Sequence, residues 1–253
     1  MWAKALARYL YANVAGLAVV RFTAKDLAAS YFPKPEFQGV SRLSIGSGLI
    51  VDIGANRGQS IQAFRRFAPA CRIVAFEPEP RSAAQLQQRY RRASTIAIHG
   101  CALGSSTGSL AFFAPKYGHW DCDGMSATDY KEATEWLRDR SRMLYFDERK
   151  LSVHEHSVEC RTLDSFDLAP CIVKLHAQGA EFDILKGSQA TIEKHRPALM
   201  AAFPTPAVNE LLGSWHYRPY DFQNGSFRDG MACRSRTFTW YLLEDHLSRL
   251  LVS

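Results

Sequence analysis

A short apolar run that ends in glycine constrains the fold of this 253-residue chain more than any other feature. Leu49 to Ile53 has the length and composition of a strand that is buried on both faces. Gly54 and Gly58 follow and let the backbone turn sharply, and apolar residues then recur at helical spacing from Ile61. The order of strand, glycine turn and helix predicts the first unit of a parallel α/β sheet.

Strands and helices alternate along most of the chain. Further apolar runs, each predicted to be a strand, occupy residues 72–76, 95–98, 109–113, 171–175 and 198–203, and residues 237–243 suit a late edge or hairpin strand. Alternation of this kind implies a mostly parallel sheet with helices on both faces. We therefore predict a Rossmann-like α/β fold with a late antiparallel strand.

Two stretches lie outside the alternation. Residues 1–48 are predicted to form a helical extension and a connector. Residues 49–253 are predicted to form the main domain. Within that domain, residues 114–157 are polar, aromatic and basic, and they predict an insertion or lid with a helix near Asp129 to Arg142. The uncharged stretch from Tyr9 to Val20 is too short to span a membrane. It predicts a helix that packs on the domain or lies at a membrane interface, and we favour packing.

Charge and cysteine usage limit the function classes. The net charge is +6, and short arginine groups could meet an anionic substrate, a nucleic acid or an acidic membrane. Since none of these groups forms a recognisable nucleic-acid motif, we favour solvated helix surfaces and expect no nucleic-acid partner. The six cysteines lack the C-x-x-C spacing of zinc or redox sites, which favours a reduced cytoplasmic protein.

The glycine turn carries a candidate ligand site. The helix after it presents free N–H groups to polar atoms. The turn lacks the second glycine of the dinucleotide fingerprint, which disfavours a nicotinamide cofactor. Glu77 ends the next strand, where an acid can accept hydrogen bonds from the ribose hydroxyls of an adenosine ligand. The alternative is a nucleotide-free α/β protein that uses these residues for tight turns.

Several blocks in one order resemble the FkbM family of methyltransferases. They read VDIGANRGQS, AFEPEP, HGCALG, RTLDSF, VKLHAQGAEFDILKG and RPAL, and they fall within residues 49–203. The resemblance implies a class I methyltransferase fold and S-adenosylmethionine as methyl donor. It also implies O-methylation of a hydroxyl group on a small-molecule acceptor, a sugar or glycan, or a glycosylated metabolite.

The resemblance also assigns residues to the cofactor. Those implied to bind it are Asp52, Gly54, Ala55, Asn56, Gly58, Glu77, Cys101 and Ala102. The residues of the glycine turn would line the methionine end and Glu77 would hold the ribose. Cys101 and Ala102 would lie near the adenine, with core packing as an equal alternative for Cys101.

The acceptor end departs from the family pattern. The family usually reads Lys-Ile-Asp-Val-Glu-Gly where this chain reads KLHAQG over residues 174–179, and a further frequent acid is replaced at 202–203. The candidate catalytic residues are His176, Lys174 and Glu181. Three interpretations stay open: His176 replaces the lost base, the pocket takes another acceptor that needs no strong base, or catalysis is lost and the protein binds cofactor as a partner or scaffold.

Other groups are weaker candidates. His154 and His156 share a strand face but lack further ligands at metal-site spacing. The three aspartates within residues 121–129 lack the calcium-loop pattern. The aromatic segment 117–120 could stack on a sugar ring or pack within a lid. Because the strand end has lost its acids, we expect no metal requirement.

Overall fold

The structure, a computed structural model of the chain, describes residues 2–122, 125–233 and 236–250. The chain divides into two compact units, one made of Met1–Ala28 with Ser109–Glu159 and the other of Ala29–Gly108 with Cys160–Ser253. The stretch predicted as an insertion, residues 114–157, therefore shares a unit with the start of the chain. Its role as a lid stays a prediction.

The larger unit contains most of the strands. In chain order the strands of the protein are β1 (Leu49–Ile53), β2 (Arg72–Phe76), β3 (Ile96–His99), β4 (Ala102–Leu103), β5 (Gly108–Tyr117), β6 (Trp120–Asp121), β7 (Leu151–Arg161), β8 (Pro170–Leu175), β9 (Ala198–Ala202), β10 (Arg218–Gln223), β11 (Ser226–Asp229) and β12 (Phe238–Leu242). Among the described residues, eight of them form one sheet in the order β11-β10-β12-β9-β8-β1-β2-β3.

The centre of this sheet is parallel, as predicted. β1 pairs in parallel with β2 and β8, β2 with β3, and β8 with β9. Successive side chains of a strand point to opposite faces. Accordingly Val51 of β1 packs into one hydrophobic cluster and Ile50 into another. The two apolar layers confirm the Rossmann-like α/β fold, and they bring the carboxyl ends of β1, β2 and β8 to one edge.

The predicted late strand is antiparallel but does not lie at an edge. β12 pairs with β9 on one side and β10 on the other, with Phe238 opposite Ala202. All five residues of β12 are buried. The prediction of an edge strand was wrong because β10 and β11 were not predicted as strands. These two strands extend the sheet beyond β12.

Helices flank the strands. They are α1 (Trp2–Asn13), α2 (Leu17–Tyr31), α3 (Gln59–Phe67), α4 (Pro80–Tyr90), α5 (Tyr130–Thr134), α6 (Glu181–Lys186), α7 (Gln189–His195), α8 (Pro206–Ser214) and α9 (Glu244–Ser248). The predicted connector contains a 3₁₀ helix, Pro35–Arg42, that buries Phe37 and Val40. No helix in the described ranges is long and apolar enough to cross a membrane.

The smaller unit has its own sheet and core. β7 pairs with β5, and β5 with β6. Tyr11 of α1 packs with Trp120 and Trp136 in the apolar cluster of this unit. The helix predicted near Asp129 to Arg142 is shorter than expected. It ends after α5 and the 3₁₀ turn Glu135–Leu137, since the carboxylate of Asp139 accepts the N–H of Ser141 and favours a local turn.

Candidate functional site

The glycine turn lies at the carboxyl end of β1 and has a backbone that only glycine tolerates. Gly54 has φ +75° and Gly58 has φ +82°. A Cβ at Gly54 would lie 2.0 Å from the carbonyl oxygen of His176, and one at Gly58 would lie 2.8 Å from Leu86 Cδ2. The N–H groups of Gly54 and Ala55 both donate to the carbonyl of Phe76, at 2.9 and 3.1 Å. The turn is therefore a tight cradle fixed between β2 and the chain after β8.

A buried ion pair lies directly under this cradle. Lys174 Nζ is 2.9 Å from Asp52 Oδ1, and the two side chains are 2% and 0% exposed. The same ammonium donates to the carbonyls of Ile53 and Gly54, at 3.1 and 2.8 Å. Ser60 donates to the other oxygen of Asp52 at 2.5 Å. Lys174, predicted as catalytic, thus holds the glycine turn in place together with Asp52.

Glu77 follows β2 and faces the turn. Its carboxylate accepts the N–H of Asn56 at 2.6 Å and the N–H of Glu79 at 2.9 Å. Burial raises the pKa of Glu77 to about 7, although both amide hydrogen bonds act in the opposite direction. Each carboxylate oxygen keeps a second lone pair. Glu77 is therefore placed to accept further hydrogen bonds from a ligand, and its charge changes near neutral pH.

Asn56 leaves a polar atom without a partner. Its backbone is in the left-handed region at φ +47°. Its Oδ1 is buried, and none of the described residues donates a hydrogen bond to it. A buried acceptor without a donor costs free energy unless a ligand or water satisfies it. The strained, unsatisfied Asn56 indicates that the turn is shaped for a polar ligand.

The predicted adenine residues lie in a buried region beyond β3. Cys101 and Ala102 are both buried, and Ala102 begins β4, where it pairs with Cys160 of β7. Their contact with an adenine stays a prediction. Three aromatic side chains nearby were not predicted as site residues, although all of them fall inside the family blocks. The ring of His99 stacks on Phe76 at 5.1 Å and meets Phe166 edge-on at 5.0 Å.

His176 directly follows β8, as its predicted position requires. Its half-buried ring lies edge-on to Phe238 at 5.7 Å and to Phe203 at 6.3 Å. Burial lowers the pKa of His176 to about 3, with Lys174 and Lys34 acting in the same direction. An unperturbed imidazole titrates near neutral pH. His176 departs from this value because the apolar rings and the two ammonium groups both disfavour the protonated imidazole.

Phe203 was not predicted to be functional. It is 66% exposed and has φ +45°, a conformation that costs energy for a bulky residue. An apolar run predicts buried residues in extended conformation. The sequence therefore predicts neither the exposure of Phe203 nor its positive φ. The exposed ring beside His176 gives the carboxyl end of β9 an aromatic surface where the family pattern has an acid.

Glu181 serves the turn that follows His176. One carboxylate oxygen accepts the N–H of Ala177 at 2.7 Å and the other accepts the N–H of Gly179 at 2.9 Å. Gln178 and Gly179 both have positive φ, at +54° and +98°. The carboxylate therefore stabilises a strained turn at the start of α6. This arrangement gives the predicted catalytic residue Glu181 a positioning role.

The described weaker candidates lie in the smaller unit. The rings of His154 and His156 lie 6.5 Å apart. Asp129 caps α5 by accepting the N–H of Glu132, and Asp123 lies outside the described residues. In the part of the chain that the structure describes, no three His, Cys, Asp or Glu side chains come together as a metal site. Trp120 is buried in the core of the smaller unit, together with Tyr117, which favours packing over sugar stacking.

Comparison with known proteins gives consistent matches. A model of the family described as Methyltransferase FkbM domain matches residues 52–238. The chain is 29% identical to 2-O-methyltransferase NoeI of Sinorhizobium fredii over 175 residues, which are 63% of this chain and 65% of NoeI. It is 27% identical to Methyltransferase 1 of Beauveria bassiana over 194 residues, which are 70% of this chain and 71% of that protein.

The chain also matches a solved structure of a methyltransferase FkbM from Methylobacillus flagellatus KT. The TM-score is 0.47 at 19% identity, over 77% of this chain and 43% of that one. The match to NoeI thus spans just under two thirds of its length, at 65%, and the match to the solved structure spans less than half, at 43%.

Proposed function

The chain belongs to the Methyltransferase FkbM domain family, and we propose that it is an S-adenosylmethionine-dependent methyltransferase that methylates a hydroxyl oxygen, with a sugar or glycan as acceptor. The observation that carries this proposal is the glycine turn. There the unsatisfied carbonyl of Asn56 and the carboxylate of Glu77 lie together at the carboxyl end of β1 and β2. In open α/β sheets, ligands bind at this edge.

The residues of the turn fit the proposed cofactor. Gly54 and Gly58 keep the turn tight, because a side chain at either position would collide with the carbonyl of His176 or with Leu86. The oxygen of Asn56 would accept a hydrogen bond from the amino acid end, and Glu77 would accept hydrogen bonds from the ribose. When bound, S-adenosylmethionine supplies a methyl group activated by its positive sulfur. Chain residues then have to orient the acceptor and exclude water.

The surface around His176 suits an uncharged acceptor. The neutral imidazole can accept a hydrogen bond from a hydroxyl group. The exposed ring of Phe203 can pack against the apolar face of a sugar. The relative NoeI is a 2-O-methyltransferase, which supports oxygen as the methylated atom. The lost acids at 176 and 178 support a substrate that is held by stacking and by one hydrogen bond to a neutral side chain.

Loss of catalysis is the second candidate function. The same missing acids favour it, since the cofactor turn is intact while the acceptor side has changed. A turnover assay with a panel of glycans separates the two candidates. Methyl transfer to any glycan supports the enzyme, and tight cofactor binding without transfer across the panel supports a binding partner or scaffold.

We expect Glu77→Ala to weaken S-adenosylmethionine binding by about 1–3 kcal/mol through the loss of hydrogen bonds to a charged group. The affinity of the native protein should also depend on pH. Because burial raises the pKa of Glu77 to about 7, the carboxyl group is protonated below that pH and loses acceptor capacity. Affinity should therefore rise from pH 6 to pH 8. Isothermal titration calorimetry across this range measures both effects.

Glu77→Gln is the matched variant, since its amide keeps one acceptor and cannot ionise. It should bind with an affinity that no longer changes between pH 6 and pH 8. Binding of the native protein that is independent of pH would contradict the role of Glu77. Failure of the native protein to bind the cofactor at millimolar concentration would overturn the proposed function as a whole.

A further inference from the structure

Two large aromatic side chains are exposed to solvent where α2 ends. Tyr31 is 63% exposed and Phe32 is 83% exposed, and both belong to the larger unit. Single exposed apolar residues are common on proteins, whereas grouped ones mark binding surfaces. Prolines follow at positions 33 and 35, and each of them fixes its own φ and keeps the residue before it extended. The backbone that carries the two rings is therefore stiff.

The segment after the two rings is fixed to Thr237, the residue that precedes β12. Lys34 donates to the hydroxyl group of Thr237 at 2.6 Å. The carboxylate of Glu36 accepts the N–H of Thr237 at 2.7 Å. Two residues of extended chain span at most about 7 Å, so the Cα of Phe32 lies within that distance of the Cα of Lys34. These contacts place the exposed rings near the start of β12.

The aromatic surface beside His176 meets the same residue. The N–H of Phe203 donates to the carbonyl of Thr237 at 3.0 Å, and the ring of Phe203 lies 6.3 Å from that of His176. Lys34 and Phe203 thus bind opposite ends of one residue, the hydroxyl group and the carbonyl of Thr237. Exposed rings from two distant segments, residues 31–32 and residue 203, therefore come together at the carboxyl edge of the sheet.

We propose that Tyr31 and Phe32 form a second sugar subsite next to Phe203, so that the acceptor is an oligosaccharide and not a single sugar. This inference rests on the proposed function, in which one sugar ring packs on Phe203 and presents a hydroxyl group to His176. The adjoining sugar then lies over the ring of Phe32. An aromatic ring offers a large apolar face to the C–H groups of a sugar, while the hydroxyl groups of the sugar stay in water. The stiff backbone limits the entropy that is lost on binding.

A protein partner fits this surface less well than a glycan does. A partner that covered Tyr31 and Phe32 would also cover Phe203 beside them, and an acceptor could then not reach His176. An oligosaccharide that lies along the rings brings its end sugar to His176. The same contacts then bind the acceptor and orient its hydroxyl group.

The test uses the full chain, S-adenosylmethionine and a panel of neutral glycans. Each terminal sugar of the panel is present both as a monosaccharide and as the end of a tetrasaccharide. For the sugar that the native protein methylates, we expect kcat/KM to be about tenfold higher with the tetrasaccharide, through a lower KM and not a higher kcat. Tyr31→Leu combined with Phe32→Leu keeps apolar side chains but removes both rings, and it should lower this ratio to about twofold or less.

Exchanging the two residues, Tyr31→Phe with Phe32→Tyr, keeps both rings and should keep the native ratio. Trp215→Leu is the matched control elsewhere in the sheet, and it should also keep the native ratio. It removes a ring near the opposite edge, where Tyr217 donates to the carbonyl of Pro197 just before β9. Far-ultraviolet circular dichroism and calorimetry with S-adenosylmethionine show that each variant is folded and binds the cofactor.

The outcomes separate this inference from the proposed function. A native ratio near one, or a ratio that is unchanged in the double leucine variant, would overturn the second subsite and leave the proposed function standing. A dimer in solution that the double leucine variant dissociates would also overturn it, since a second copy of the chain would then cover the rings. Absence of methyl transfer to every glycan of the panel would overturn the proposed function, and the subsite with it.

Discussion

Replacing Lys174 with methionine is expected to lower the free energy of unfolding by about 3–5 kcal/mol, the usual cost of removing one partner of a buried ion pair. The ammonium lies 2.9 Å from the carboxylate of Asp52, and neither side chain has appreciable contact with solvent. Methionine fills most of the same volume. It leaves the charge of Asp52 uncompensated, and it removes the donor to the carbonyls of Ile53 and Gly54. Unfolding in denaturant, followed by circular dichroism, measures the change.

Two further variants show whether the buried charge is the cause. Lys186→Met breaks an exposed ion pair with Asp183 and should change stability by less than about 1 kcal/mol. Adding Asp52→Asn to Lys174→Met removes both buried charges and should recover part of the loss. A Lys174→Met protein that is as stable as the native one yet inactive would contradict the structural role. It would support the catalytic role predicted from the sequence.

The cradle was predictable because its determinants are local. Gly54 and Gly58 are followed by a helix, and glycine adopts a strongly positive φ more readily than any other residue. Glu77 follows the second apolar run, and parallel strands bring their carboxyl ends to one edge. Order along the chain therefore places the acid beside the glycine turn. The N–H of Asn56 donates to the carboxylate of Glu77, so the turn and the acid lie together as this order predicts.

The roles of Lys174 and Glu181 could not be predicted in the same way. A lysine at a strand end can face the ligand or turn toward a buried acid, and the choice depends on Asp52, 122 positions earlier in the sequence. Glu181 begins a helical segment and resembles any solvent-facing acid in its first turn. Its two bonds to Ala177 and Gly179 arise only once the turn adopts positive φ. Partners of polar groups are non-local, and residue type alone does not fix them.

The environment of His176 is another non-local result. Phe238 reaches it because β12 inserts beside β9, whereas residues 237–243 were predicted to be a late edge or hairpin strand. Lys34 comes from the connector before β1, donates to Thr237, and contributes to the lowered pKa of His176. Residues from three distant segments therefore determine the protonation state of one imidazole. The lowered pKa of His176 therefore depends on residues that lie far from it in the sequence, whereas an unperturbed imidazole titrates near neutral pH.

His176→Phe is expected to lower turnover by about 100-fold or more if the imidazole accepts the proton of the acceptor hydroxyl. Phenylalanine preserves the ring packing with Phe203 and Phe238 but offers no acceptor atom. A weakly basic imidazole suffices for this step. The oxygen becomes strongly acidic as it takes the methyl group, so its proton leaves late. Steady-state assays with a glycan that the native protein methylates measure the rate. Calorimetry with S-adenosylmethionine confirms that the cofactor site is intact.

The pH profile and a second variant distinguish a base from a positioning residue. Because the pKa of His176 is about 3, the imidazole stays neutral as pH falls from 8 to 5, and it should produce no loss of turnover in that range. An acid limb near pH 7 that persists in His176→Phe would belong to Glu77, whose pKa is about 7. His176→Asn keeps a hydrogen-bond acceptor but cannot take up the proton. Turnover restored by asparagine would show that His176 only orients the hydroxyl group, and native turnover in both variants would remove it from the reaction altogether.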